Sequence, residues 1–398
     1  MTERLYYRNS YATDFHADVI VVLDVSGRTG VVLNRTAFYP ASGGQPADTG
    51  TLGDARVVDV VNAEDGQIVH IVTGPTPSGR VSGRVTWARR FDHMQQHTGQ
   101  HVLSAAFERL LGVGTVSFHL GSDASTIDLA REVTAEELAA AEDLANEVVW
   151  EDRTVSVRFA DAEEAVGLPL RKPTDRQGPL RIVEVEDFDT SACGGTHVAR
   201  TGAIGMIAVA SAERFRGGSR VEFRCGGRAL GAYRLLRDSA AVSSRLLSVG
   251  PHELGAGVER LLAEGKEARR RLQDAEERLV AHEAAALATG AVEIGGGRLV
   301  IASVDRADPA ALKVLAQAIS LAGCGAILAT SASPVSVVVS SGPHTGLDAA
   351  RMLKRLTEQF GGKGGGRREL AQGGGLSGAP DRVLAAARTL VTKADTAG

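Results

Sequence analysis

His97-Thr98-Gly99-Gln100-His101 (HTGQH) and, far downstream, Cys193-Gly194-Gly195-Thr196-His197 (CGGTH) share one spacing: two metal-competent side chains four residues apart. HTGQH falls in a stretch of helical texture, where an i, i+4 interval puts both imidazoles on one face. In CGGTH the two glycines let the backbone turn tightly between thiol and imidazole. Thiolate with imidazole is a donor set that suits zinc. Each pair alone is commonplace, but two such pairs in one domain, with no other cysteine near, converge on a shared site made of His97, His101, Cys193 and His197. Two alternatives stay open at this level. Cys193 could be a nucleophile with His197 as its base, although that leaves two histidines without a role. Four protein ligands are also the usual mark of a purely structural zinc.

Working outward, the upstream sequence is strand-like. Residues 17–34, ADVIVVLDVSGRTGVVLN, put short β-branched runs on either side of a Ser-Gly turn and read as a hairpin. Strand runs follow at 56–62, 68–73 and 81–87, so residues 1–88 are expected to form a small β-barrel. From Arg89 to about Leu111 the pattern is helical, with Leu103, Phe107, Leu110 and Leu111 on one side. TIDLA (126–130) reads as a strand, and 134–151 as a helix with Thr134 as N-cap and Glu137 closing a capping box. Residues 89–245 are therefore expected to be an α+β domain around the metal site, with helices against an antiparallel sheet.

Over 246–290, Leu254, Val258, Leu261, Ala268, Leu272, Ala275 and Leu279 keep a heptad-like spacing interrupted by Gly265. This predicts a long helical or coiled-coil arm. Residues 291–398 restart as a C-terminal α/β domain, with strands in RLVIASV, GAILAT and VSVVVS and helices in DPAALKVLAQAISLA, GLDAARMLKRLTEQF and 379–393. Within it the stretch 361–375, GGKGGGRRELAQGGG, reads as a specialised loop. The fold class is thus α+β, in four parts.

Composition narrows the function. The 398 residues suit two or three domains, and 43% hydrophobic content allows proper cores. A net charge of −4 argues against indiscriminate nucleic-acid binding, though not against a local basic patch. Three scattered cysteines do not form a disulfide framework. No signal-peptide core opens the chain and no apolar run is long enough for a membrane span, so a cytoplasmic location is expected.

The two motifs together resemble the editing domain of alanyl-tRNA synthetase and the free-standing editing proteins called AlaX. The likeness extends to NRTAFYPASGGQPADTG (34–50), SFHLGSDASTIDL (117–129) and CGGTHVARTGAIG (193–205), while the Gly-rich tail is similar to the synthetase C-terminal domain. The resemblance implies one zinc ion on His97, His101, Cys193 and His197, and hydrolysis of seryl- or glycyl-tRNA(Ala). Because no aminoacylation segment stands before the barrel, the expectation is a long-form AlaX working in trans. A related threonyl-tRNA editing activity, a non-catalytic tRNA-binding module and a DHH-type phosphoesterase are the rivals. No acidic DHH metal motif is found.

The same resemblance points to Thr36, as a hydroxyl donor beside the amino-acid pocket, and to Gln45, near the zinc in the GGQ segment. His119 reads as an interior hydrogen-bonding histidine rather than a ligand. Lys363, Arg367 and Arg368 add charge to a glycine loop whose amides could cradle phosphate, and Arg214, Arg216 and Arg220 form a second basic cluster. These are the expected contacts to the acceptor end and elbow of tRNA(Ala). Homodimerisation through the arm or C-terminal domain stays open.

Overall fold

The computed structural model describes residues 2–395 apart from 65, 162–163, 165–166, 173–178 and 306–307. It divides into two compact units, Met1–Arg245 and Leu246–Gly398.

The first unit begins with a closed six-stranded barrel. Its strands run in the order Asp14–Val25, Arg28–Leu33, Ile68–Thr73, Ala55–Asn62, Gly50–Leu52 and Arg80–Val85. The expected 17–34 hairpin opens it, turning at Ser26 and Gly27 with φ of 55° and 78°, the left-handed pair that matches strand twist. Alternate residues fill the interior, among them Phe15, Val31, Leu33, Phe38, Val57 and Ile68. Gly50 permits closure, since a Cβ there would lie 2.0 Å from the Arg84 carbonyl oxygen.

Helix α1 (Trp87–Leu111) follows the barrel and ends at Gly112, whose left-handed φ of 63° lets its N–H reach the Glu108 carbonyl. It is buried without a break from His93 to Phe107, so it is an interior helix rather than an amphipathic one. Leu110, expected on its apolar side, instead faces solvent at 47% exposure, while its neighbour Leu111 packs against the core. The polar groups inside α1 are held by partners. Arg90 forms a fully buried ion pair with Asp48 and also donates to the Ser10 and Ala37 carbonyls. Gln96 exchanges two hydrogen bonds with the Cys225 backbone, at 3.0 and 2.9 Å. Helix α2 (Ala135–Trp150) carries the expected capping box, with Thr134 Oγ1 accepting from Glu137 N and the Glu137 carboxylate accepting from Thr134 N.

These helices pack with two antiparallel sheets. One is four-stranded, ordered Ile207–Phe215, Gly218–Cys225, Ser125–Leu129 and Thr115–Leu120, and the other contains Val155–Ala160, Leu180–Val185 and Asp189–Ala192. Met94, Leu103, Phe107, Ile127, Val148 and Phe223 belong to their shared core. The turn at Ser42–Gln45 docks on the free edge of the Thr115–Leu120 strand, where Leu120 N donates to the Gly44 carbonyl at 3.1 Å.

The second unit starts with a single helix, Leu254–Thr289, in which Leu261, Leu272 and Leu279 of the heptad pattern are 56–64% exposed. A six-stranded sheet follows in the order Val292–Ile294, Gly297–Val304, Cys324–Thr330, Val335–Ser340, Leu370–Leu376 and Lys363–Gly366. The Gly-rich stretch is not a loop. It is the edge hairpin of this sheet, with Gly364 opposite Gly373 and Gly366 opposite Ala371. The glycines serve close packing: a Cβ on Gly373 would lie 2.9 Å from a Leu353 methyl, and one on Gly366 would lie 2.3 Å from Ala371 Cα. Among the described residues no helix is long and apolar enough to cross a membrane.

Candidate metal centre

Helix α1 delivers His97 and His101 one turn apart, and the turn after the Asp189–Ala192 strand delivers Cys193 and His197. The four donor atoms lie within 4.8 Å of one another. Cys193 Sγ is 3.3 Å from both His97 Nε2 and His197 Nε2. Gly195 makes this approach possible, because any Cβ there would lie 2.1 Å from His97 Cε1.

Each imidazole is gripped from behind through Nδ1. His97 Nδ1 bonds Gln45 Oε1 at 2.8 Å. The Gln45 amide is itself oriented, since Oε1 accepts from Thr196 N at 3.1 Å and Nε2 donates to Thr196 Oγ1 at 2.8 Å. An amide so held presents an acceptor to His97, so the proton sits on Nδ1 and the Nε2 lone pair is free. His101 Nδ1 bonds Asp189 Oδ2 at 2.9 Å, and Asp189 is braced by Arg171 Nε at 2.7 Å and Ser191 Oγ at 2.9 Å. His197 Nδ1 is 3.2 Å from Thr98 Oγ1, which also accepts from Val198 N at 3.1 Å. Three Nε2 atoms therefore converge with one sulfur, the arrangement in which supporting partners orient metal-binding histidines.

The electrostatics favour a cation at the centre. Burial alone would raise the Cys193 thiol, but His97 and His197 beside it hold it well below its usual range, so it is poised as a thiolate. Burial would likewise raise Asp189, yet the bonds from His101 and Arg171 hold it at about 2. Burial and then His97 lower His197 to about 3, keeping it a neutral donor. Burial pulls His101 down, but Asp189 and Cys193 outweigh it and lift the ring to about 9. With a deprotonated sulfur, a neutral His197 ring and a His101 ring that would give up its proton to a bound cation, the set fits a tetrahedral zinc. The cluster is not walled in. His101 and Cys193 line a cavity of about 340 Å³ together with Gln100, Phe118, Lys172 and Ser191. A wider groove of about 500 Å³ along Thr49–Thr51 of the barrel has no such cluster on its walls.

The other expected residues fare differently. Gln45 is buried behind His97 with both amide atoms engaged, its oxygen on the ring and its nitrogen on Thr196. Thr36 is fully buried, and its hydroxyl lies 2.7 Å from His70 Nε2. His70 Nδ1 bonds the Val31 carbonyl at 2.9 Å, which fixes its tautomer. Burial lowers His70 to about 4, so the ring is neutral and Nε2 is an acceptor. Thr36 therefore donates to His70 while accepting from Phe38 N at 3.1 Å. What it has left is one acceptor lone pair, not the donor that was expected. His119 is exposed rather than interior, on the wall of a groove with Ser42–Gln45. Of the second basic cluster, Arg220 is paired with both oxygens of Asp128 at 2.7 and 3.0 Å, and Arg214 with Glu132 at 2.9 Å. Arg216 sits at the hairpin tip against the Phe215 ring. Lys363, Arg367 and Arg368 are exposed on the edge hairpin of the second unit. The partners that were missed are Asp189, Arg171, Thr98 and Thr196. Thr98 and Thr196 lie inside the motifs, and Asp189 four residues before Cys193 was a signal within reach.

Residues 180–222 match the family described as the threonyl and alanyl tRNA synthetase second additional domain. The alanine–tRNA ligase of Pyrococcus abyssi is 34% identical over 391 residues, which cover 94% of this chain and 42% of the ligase. Those of Methanoregula boonei and Halobacterium salinarum are 36% and 35% identical over the same shares. Over nearly its whole length the chain is similar to alanine–tRNA ligases. It spans about two-fifths of the length of these curated relatives. The C-Ala domain of Aquifex aeolicus alanyl-tRNA synthetase aligns with 26% of the chain and 95% of its own length, at 23% identity and a TM-score of 0.23. The synthetase likeness thus runs through both units, since the matched ligase segments cover nearly the whole chain.

Proposed function

We propose that this chain is an aminoacyl-tRNA hydrolase that removes wrongly attached amino acids, chiefly serine and also glycine, from tRNA(Ala). The observation that carries this reading is the four-donor cluster opening into a cavity, within a chain related to alanine–tRNA ligases over 94% of its length. His97, His101, Cys193 and His197 would hold zinc, which when bound supplies a Lewis acid able to polarise an ester carbonyl or acidify a water. The chain's own residues prepare that site. Gln45, Asp189 and Thr98 fix the tautomer and pitch of the three rings, and the thiolate needs no proton removed before binding.

Selectivity falls to Thr36. With its proton committed to His70, Thr36 offers an acceptor to a hydroxyl-bearing side chain. Serine can donate to it and alanine cannot, which is the direction of discrimination an editor of tRNA(Ala) needs. Contacts to the body of the tRNA are assigned to Arg216, Lys363, Arg367 and Arg368, with less from Arg214 and Arg220 because carboxylates already partner them. Dimerisation through the Leu254–Thr289 helix or the unit that contains it belongs to the same proposal. The rival is a tRNA-binding module with a structural zinc, favoured by the count of four protein ligands.

The experiment adds the 398-residue chain to pre-charged seryl-, glycyl- and alanyl-tRNA(Ala), with metal analysis of the same sample. Seryl-tRNA(Ala) should be deacylated and alanyl-tRNA(Ala) spared, and His97→Ala and Cys193→Ala should each lose bound zinc and activity. Full activity in a zinc-free preparation would refute the assignment, and a folded, zinc-loaded chain without hydrolysis would favour the binding module. Removal of residues after 245 should weaken tRNA affinity more than it slows hydrolysis.

A further inference from the structure

The cavity beside His101 and Cys193 carries more than the metal cluster, and we infer that it seats the 3′-terminal nucleotide of an RNA, with Phe118 as the platform for the base and Lys172 as the contact for the phosphate. This rests on the hydrolase reading above and adds how the substrate's end is held.

Phe118 lies on the Thr115–Leu120 strand, at the edge of its sheet. Its ring centroid is 6.0 Å from the His97 ring, yet the residue is 37% exposed. Gly44 packs against the ring so closely that a Cβ there would lie 3.0 Å from Phe118 Cε2. Val116, two residues earlier and so on the same strand face, is 59% exposed and lines the same cavity. The result is an apolar ledge beside a polar centre. Across from it, Arg171 is committed to Asp189, but the neighbouring Lys172 is exposed and its Nζ bonds only the Val116 carbonyl, at 3.3 Å, among the described residues. One cation is thus anchored in the centre, and the next, at the rim, has no carboxylate partner among the described residues.

A third observation points to a ligand. Gln100 is 1% exposed, its Nε2 donates to Ser104 Oγ at 2.9 Å, and its Oε1 has no partner among the described residues. A buried acceptor without a donor is costly, so it marks a place where a donor from outside the chain belongs. Gln100 lines this cavity next to His101.

The chemistry of the substrate ties these together. The ester sits on the terminal ribose, so the base and phosphate of that same nucleotide must lie within one nucleotide's reach of the metal cluster. An exposed ring and an exposed ammonium on the walls of one cavity of about 340 Å³ meet that requirement. Aromatic rings are how single-stranded ends are commonly held, and a lysine adds a salt-sensitive phosphate contact.

The test compares an uncharged acceptor minihelix ending in its terminal adenosine with the same RNA trimmed of that nucleotide, and runs deacylation of seryl-tRNA(Ala) in parallel. The wild-type chain should prefer the intact RNA. Phe118→Leu, which keeps apolar bulk but not the ring, should erase that preference and raise KM roughly tenfold, with kcat and bound metal little changed. Phe118→Tyr should restore both. Lys172→Gln should flatten the salt dependence of binding by about one unit of slope. An unchanged preference and KM in Phe118→Leu would overturn the seat while leaving the hydrolase intact. Discrimination of intact from trimmed RNA by a chain that hydrolyses nothing would keep the seat and sink the hydrolase.

Discussion

Helix α1 and the Leu254–Thr289 helix treat polarity in opposite ways. In α1 the run His93–Phe107 is buried, and it contains three histidines and three glutamines. In the longer helix only Gly257, Ala284 and Ala288 are buried, and leucines at 261, 262, 272 and 279 face solvent. An ordinary helix would show the reverse, with apolar residues in and polar residues out. The difference teaches where each helix gets its stability. Helix α1 is held by partners supplied from distant chain segments, such as Asp48, Gln45, Asp189 and Cys225. The longer helix leans on its own backbone and on pairs such as Arg271 with Glu267 at 2.9 Å.

The sharpest way to break the contrast is at Arg90. Replacing it by methionine leaves Asp48 buried without its cation, and chemical denaturation should show a loss of about 3–5 kcal/mol. A loss near that of a surface substitution would mean that the interior of α1 is not organised by its polar partners. A second test uses pH on the buried polar interior that Thr36 shares with His70. The folded ring is held at about 4 against an ordinary 6.5, so the unfolded chain takes up a proton first as pH falls. Stability from this group is complete above 6.5 and drains away down to about 4, by roughly 3 kcal/mol. Denaturation midpoints at neutral and acid pH should therefore fall more steeply for wild type than for His70→Gln, and parallel slopes would contradict it.

Next comes Gln45→Leu, which removes the acceptor behind His97. Competition with a chelator should show metal affinity weakened about 10–100-fold in a chain that still folds. The smallest expected effect is on the exposed helix, where Leu272→Gln should change stability by less than about 0.5 kcal/mol. A larger loss there would show that this leucine is covered in solution.

The legible parts of the sequence were those whose signal is local. The hairpin around Ser26-Gly27 announces itself by alternation and a turn, and the Thr134–Glu137 capping box by spacing. The two four-residue intervals of HTGQH and CGGTH drew attention to side chains that the fold does bring together. What stayed hidden depends on distant approach. A search for apolar period cannot see an interior helix whose inward residues are glutamine and histidine, so Leu110 was assigned to the wrong side. Glycine argues for turns, and nothing near Gly364 and Gly373 says that Leu353 will press against both. The hydroxyl of Thr36 could not be read as an acceptor until His70, 34 residues away, was seen beside it.

The seam at Ser42–Gln45 has a practical consequence. All four candidate ligands lie after residue 88, so an excised piece from 89 to 245 would look complete to anyone counting donors. It would lack the amide that sets the His97 tautomer and the Gly44 carbonyl that clasps Leu120. Anyone grafting this chemistry onto another scaffold must transplant the barrel with it, as indivisible cargo.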